Sequence, residues 1–115
     1  MIESLDYPFL PVGFTIRTIR ENLPAFADTG FDGFLVLPEA YLQRLGFPDL
    51  AGSWTLADGS TVEAPEFRGT VVIVGLQTVV QAQITCLGGE VIVGRAVLDH
   101  FTVTFDHGHR IPATD

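Results

Sequence analysis

Between Ala25 and Pro38 the chain reads Ala-Phe-Ala-Asp-Thr-Gly-Phe-Asp-Gly-Phe-Leu-Val-Leu-Pro. An apolar approach runs into Asp28-Thr29-Gly30, and a second apolar run, Phe34 to Leu37, leaves it. Gly30 and Gly33 permit a sharp reversal, because a residue without a Cβ adopts unusual backbone angles at little steric cost. The pattern is strand, tight turn, strand. A carboxylate held between two hydrophobic strands is costly unless it is paired or hydrogen-bonded. Asp28 is therefore the first candidate for chemistry.

The rest of the chain is built from short pieces. Met1 to Pro11 reads as a loose lead-in broken by Pro8 and Pro11. Phe14 to Arg20 is a first strand, Glu21-Asn22 a turn, and Leu23 to Ala27 the strand that delivers Asp28. Pro38 to Gly46 is the clearest helix, with proline at its start, Glu39 in its first turn, Arg44 in its last and glycine at its end. Trp54 to Ala64 is a hairpin about Asp58-Gly59. Phe67 to Val74 and Gln77 to Thr85 form a longer hairpin about Gly75-Leu76, with the alternation of half-buried strands. Val91 to Val93 is a short buried strand stopped by Gly94. Arg95 to Phe101 suits a second short helix, Thr102 to Asp106 alternates again, and the tail from His107 is polar. Many short strands with two brief helices point to an all-β barrel rather than a doubly wound sheet.

At 115 residues the chain is one domain with room for a real core. The net charge is −8, and the six basic residues are arginines scattered along the chain, so no basic patch is available for phosphates. Nucleic acid and anionic membrane surfaces are not expected partners. No apolar run approaches the ~20 residues of a membrane helix. Cys86 is the one cysteine; it excludes an intrachain disulfide and reads as a buried small hydrophobe. With no basic, continuously apolar leader at the N-terminus, a cytoplasmic protein is expected.

Three ordered segments resemble the retropepsin-like aspartic proteases. Phe26-Ala27-Asp28-Thr29-Gly30-Phe31-Asp32 resembles that family's catalytic loop. Thr55 to Val62 falls where the family carries its flap hairpin. Val91-Ile92-Val93-Gly94-Arg95-Ala96-Val97-Leu98 resembles the hydrophobic-hydrophobic-Gly-Arg signature near the family's C-terminus. Together they frame residues 14 to 106 of a single domain. The resemblance implies a small closed β-barrel with one or two short helices, and an aspartic endopeptidase acting on peptides or proteins without a metal or cofactor. It implies that Asp28 is catalytic, that Thr29 braces the loop across a subunit boundary, and that Gly30 admits substrate backbone. Asp32 would touch substrate main chain and pair with Arg95. Ala57, Asp58 and Gly59 would form the flap tip over the substrate, more polar here than in the viral enzymes.

This reaction class activates a water between two aspartates that share one proton, since two carboxylates ~3 Å apart cannot both ionise. One chain supplies one Asp-Thr-Gly; Asp58-Gly59 and Asp106-His107-Gly108 lack the hydroxyl and the apolar approach. The resemblance therefore implies a two-fold homodimer. Other readings stand beside it. The same fold with little activity would be a peptide-binding or dimerisation module. Asp28 as a plain turn cap would accept N–H groups from Gly30 or Phe31. Residues 28 to 39 also space Asp28, Asp32, Gly33 and Glu39 much as a calcium-binding EF-hand loop does, against Gly30 at its second ligand position and Pro38 before the glutamate. His100, His107 and His109, without a cysteine partner, read as a solvated tail rather than a metal site.

Overall fold

A computed structural model describes residues 1–115. Ten strands and two one-turn helices follow one another as β1 (Ile2–Ser4), β2 (Phe9–Ile16), β3 (Ile19–Ala27), β4 (Leu35–Leu37), α1 (Leu42–Leu45), β5 (Leu50–Thr55), β6 (Thr61–Ile73), β7 (Val80–Cys86), β8 (Ile92–Val93), α2 (Arg95–Leu98), β9 (Thr102–Val103) and β10 (Ile111–Thr114). A 3₁₀ turn, Glu39–Tyr41, leads into α1. The all-β class follows from the sequence for a local reason: Gly and Pro recur along the chain and interrupt most of its apolar runs before a longer helix can form. No helix is long and apolar enough to cross a membrane.

Seven strands form one sheet in the order β2-β3-β8-β4-β7-β6-β5, and β2 also pairs with β6. The pairings thus lead round a ring, but closure is partial rather than the complete barrel the resemblance implies. The seam is β8, which offers two residues to each neighbour: Phe26↔Ile92 and Ala27↔Val93 on one side, Leu35↔Val93 and Val36↔Ile92 on the other. Opposite the seam, β6 makes the wall continuous by serving three partners in succession, β5 over Thr61–Glu66, β7 over Glu66–Val71 and β2 over Thr70–Ile73. Gly69 sits where it changes partner, and a Cβ there would stand 2.3 Å from the Thr15 carbonyl oxygen. The ring encloses a single cluster of buried side chains, with Leu10, Phe14, Leu35, Leu37, Phe67 and Ile84 among its fully buried members. Beyond the ring, β5 and the first half of β6 project as a hairpin.

Three sequence expectations are corrected here. The first reversal is not at Glu21-Asn22: β2 and β3 pair without a break from Phe9↔Phe26 to Ile16↔Ile19, which puts the turn at Arg17-Thr18. Arg17 takes a left-handed φ of 54°, and its guanidinium donates to the Leu45 and Phe47 carbonyls and to Asp49. Long-range hydrogen bonds, invisible in a local window, offset the cost of that conformation. Nor are the ends loose. Ile2–Ser4 pairs with Ile111–Thr114, which pairs with Thr102–Val103, in a second, three-stranded sheet. The lead-in and the polar tail are each too short to bury a face alone, and together they bury Ile111 and Ala113. The Asp115 carboxylate closes the arrangement by accepting the Gln77 and Thr78 amides at 3.1 and 2.8 Å. The second half of the Gly75-Leu76 hairpin accordingly begins at Val80 rather than Gln77.

Candidate active site

Asp28 stands one residue beyond β3, where the chain leaves the sheet and returns as β4 with β8 threaded between the two. β8 runs parallel to β3 and antiparallel to β4. The Asp28 amide continues the ladder by donating to the Val93 carbonyl at 3.0 Å. The loop is then stitched to the segment after β8: the Gly94 amide donates to Phe34, Arg95 to Phe31 and Ala96 to Gly33, at 2.9, 2.8 and 3.1 Å. Helices leave their first N–H groups without intrahelical acceptors. Here α2 spends two of them on the carbonyls of the Asp28 loop, so a four-residue helix and the seven-residue loop of residues 28 to 34 hold one another.

Two glycines make this contact possible. A Cβ on Gly94 would lie 2.4 Å from the Gly33 carbonyl oxygen and 2.5 Å from the Phe31 ring. A Cβ on Gly33 would lie 2.3 Å from the Phe31 ring and 2.9 Å from Trp54. The Val93-Gly94-Arg95 motif is therefore a packing device for the Asp28 loop.

The carboxylate is half-buried and oriented. Its Oδ1 accepts the Gly30 amide at 2.9 Å, so the turn-capping role read from the sequence is present, and Oδ2 is left free of the chain. Asp28 lines a cleft of about 580 Å³ whose far wall is the β5–β6 hairpin, through Trp54, Thr55, Leu56 and Ala57, and whose floor includes Val36, Thr85 and Ile92. The Gly88-Gly89-Glu90 turn closes one end. Thr29 is exposed beside Asp28, and its hydroxyl makes no hydrogen bond within the chain. It borders a second hollow with Tyr7, Phe26, Phe105 and His107, in which Tyr7 Oη and His107 Nδ1 are 2.6 Å apart. His107 is therefore tethered to Tyr7, while all three histidines stay exposed as the solvated-tail reading expects.

The structure brings Asp28 and Ala57 to one cleft and sets the other named residues around it. Gly30 lies next to Asp28, where a Cβ would sit 3.2 Å from Oδ1. Asp58 and Gly59 lie beyond the cleft lining, at the hairpin tip. The Asp58 carboxylate turns back onto the Ser60 hydroxyl and amide at 2.6 and 2.9 Å, and these hydrogen bonds hold it below the ordinary aspartate range. The pair expected of Asp32 and Arg95 is not made. Both side chains are exposed, and Arg95 has no carboxylate within 4 Å; the contact between their segments runs through backbone, Arg95 N–H to Phe31 C=O. The calcium-loop alternative needs a helix on each side of residues 28 to 39, and β3 enters that segment in place of the first.

Sequence reasoning passed over Glu66. It is 5% exposed, and its Oε2 accepts the Trp54 indole N–H at 3.1 Å and the Thr85 hydroxyl at 2.9 Å. Gly52 makes room, since a Cβ there would fall 2.2 Å from the carboxylate. Trp54 in turn packs on Phe31, ring centroids 5.3 Å apart. The hairpin is thereby tied to the wall of the sheet and to the Asp28 loop at once. Strand parity was the available signal: Val62, Ala64 and Glu66 share one face of β6.

No family model and no curated protein matches the sequence. Solved structures match the fold. The crystal structure of a retropepsin-like aspartic protease from Rickettsia conorii superposes with a TM-score of 0.57 at 17% identity, covering 98% of this chain and 90% of that one. The solution structure of simian foamy virus (mac) protease superposes with a TM-score of 0.51 at 18% identity, covering 77% of this chain and 91% of that one. The fold is retropepsin-like.

Proposed function

From this retropepsin-like fold, we propose that the protein is an aspartic endopeptidase that works as a homodimer, each chain supplying Asp28 to a shared pair. The observation that carries the reading is the Asp28 carboxylate itself: oriented through one oxygen by the Gly30 amide, free at the other, and set on a braced loop at the mouth of a hairpin-covered cleft. Phe26 and Thr29 flank that loop on the outward side, Phe26 being 38% exposed. Thr29 Oγ1, without a partner in its own chain, is the group that would meet the second copy.

In the dimer two Asp28 carboxylates share one proton, because like charges this close split their titrations. The ionised one removes a proton from a water as that water attacks the peptide carbonyl. The protonated one donates to the developing oxyanion and later serves the departing amine. Trp54 to Ala57 would cover the substrate and exclude bulk water.

The test is cleavage of random fluorogenic peptide pools by the purified protein and by Asp28→Asn, with sedimentation velocity on both. Asn keeps the Gly30 hydrogen bond and removes the general base, so turnover is expected to fall by at least about a hundredfold. Below the dimer dissociation constant, rate should rise with the square of protein concentration. Undiminished turnover in Asp28→Asn, or a strictly linear concentration dependence down to fully monomeric protein, overturns the reading. The unpaired Asp32 and Arg95 favour one alternative, a peptide-binding module of the same fold without appreciable turnover. Saturable peptide binding with no cleavage by the wild-type dimer would select it.

A further inference from the structure

The cleft beneath the β5–β6 hairpin carries charge of one sign. Its lining contains two ionisable side chains, Asp28 and Glu90, and no arginine or histidine; the chain has no lysine. A third carboxylate, Glu66, stands behind the wall. The two groups that hold its Oε2, the Trp54 indole and the Thr85 hydroxyl, both line the cleft. Glu66 Oε1 accepts no hydrogen bond from the chain and is not sealed from solvent.

None of the four ion pairs in the molecule involves these acids; Arg17, Arg44 and Arg110 are engaged elsewhere with Asp49, Glu21, Glu3 and Asp106. Neutral donors orient a buried carboxylate but leave its charge uncompensated, and a carboxylate that is nearly fully buried is normally paired. Low-dielectric walls focus such a field into the cleft. The remaining lining is largely apolar, with the Trp54 indole, Leu87 and Ile92 among it. Apolar walls with an acidic end complement a long alkyl stem that bears a cation.

Resting on the peptidase reading above, we propose that this cleft is a subsite for a basic side chain of the substrate, arginine ahead of lysine. The stem lies along Leu87 and Ile92, and the guanidinium stacks on Trp54 and meets Glu90, with the Glu66 carboxylate adding its field from behind the wall. Arginine is ahead because its planar, weakly hydrated fork both stacks on an indole and binds carboxylates through two donors. Glu66 and Glu90 set specificity; neither takes part in the chemistry.

The experiment compares fluorogenic octapeptide pools, random except for one fixed residue, arginine in one pool and citrulline in the other. Citrulline keeps the shape and removes the charge. With the fixed residue walked along the peptide, one position should show kcat/KM at least about tenfold higher for arginine, the scale of a desolvated charge pair. In Glu66→Gln the side-chain oxygen still accepts from Trp54 and Thr85, and the ratio at that position should drop severalfold; Glu90→Gln is the second variant should the first misfold.

An arm independent of turnover titrates acetyl-Leu-Phe-Arg-Phe-Leu-amide and its citrulline counterpart into Asp28→Asn, following Trp54, the one tryptophan. The arginine peptide should bind at least about tenfold tighter, with the gap closing when Glu66→Gln is added. Cleavage of both pools at equal rates at every position overturns the basic subsite and leaves the peptidase reading intact. Absence of any cleavage removes the peptidase reading, and the titration then decides the subsite: tighter arginine binding supports it, and equal affinities overturn it.

Discussion

Gly94→Ala is the sharpest probe of how the Asp28 loop is held. Gly94 has a φ of −107°, which any residue adopts, so backbone strain plays no part and the effect is steric. The added Cβ would stand 2.4 Å from the Gly33 oxygen, 2.5 Å from Phe31 Cδ2 and 2.7 Å from the Phe31 oxygen. Those carbonyls accept the Ala96 and Arg95 amides, so relief of the clash pulls on two hydrogen bonds. Overpacking by one methyl in a tight site costs about 1–3 kcal/mol, and weakening two partly buried hydrogen bonds adds about 1 kcal/mol. A loss of about 3 kcal/mol is expected, which lowers Tm by roughly 10 °C for a domain of this size. Urea and thermal melts followed by circular dichroism measure it directly. Gly89→Ala is the control, because a Cβ there meets nothing within 4 Å, and it should stay within about 0.5 kcal/mol of wild type. If Gly94→Ala melts within about 2 °C of wild type, a loop-to-helix contact of the kind described cannot exist.

Arg17 combines a left-handed φ with three hydrogen bonds. Arg17→Ala loses the bonds and keeps the strain, whereas Arg17→Gly loses the bonds but also relieves the strain; the alanine variant should be less stable than the glycine variant by about 1 kcal/mol in denaturant titrations. Burial pushes the Cys86 thiol up to about 11, with Glu39 adding to the shift. Cys86 should therefore resist a disulfide reagent at pH 8 in the native state and react stoichiometrically in denaturant. Glu21 is held below its usual range first by the Arg44 hydrogen bond, Asp49 by the Arg68 amide and Asp115 by Thr78. Groups whose folded values are depressed stabilise fully above their ordinary values of 4.5 for Glu21 and 3.8 for the aspartates. That contribution drains away as pH falls through the lowered folded values. Tm should be flat with respect to these groups from neutrality to about pH 5 and decline below it; a Tm that rises on acidification through pH 4 contradicts the assignment.

Much of the site's frame follows from the sequence by local rules. The Asp28 turn between two apolar runs, the Asp58-Gly59 hairpin, the buried Leu35–Leu37 strand and the one-turn helix after Gly94 each declare themselves through residues a few positions apart. Such rules work because glycine, proline and apolar alternation act within a single turn or strand. The same rules do not reach the terminal segments. Ile2–Ser4 and Ile111–Thr114 are unconvincing alone and become a sheet by pairing over more than a hundred residues.

What only the tertiary structure decided lies in contacts between elements distant along the chain. The β8 thread between β3 and β4, the use of the α2 amides by the Asp28 loop, and the Arg17 turn held by Leu45, Phe47 and Asp49 all depend on register that no window contains. The same holds for Glu66, which reads as one more acid in a strand until β5 brings Trp54 and β7 brings Thr85 to its carboxylate. Asp32 and Arg95 show the converse: suitable charges in matching motifs, whose side chains remain in water while their backbones make the contact. Local chemistry places most of the turns, and long-range packing fixes the rest and determines which side chains then meet, because burial and hydrogen bonding are settled between strands rather than along them.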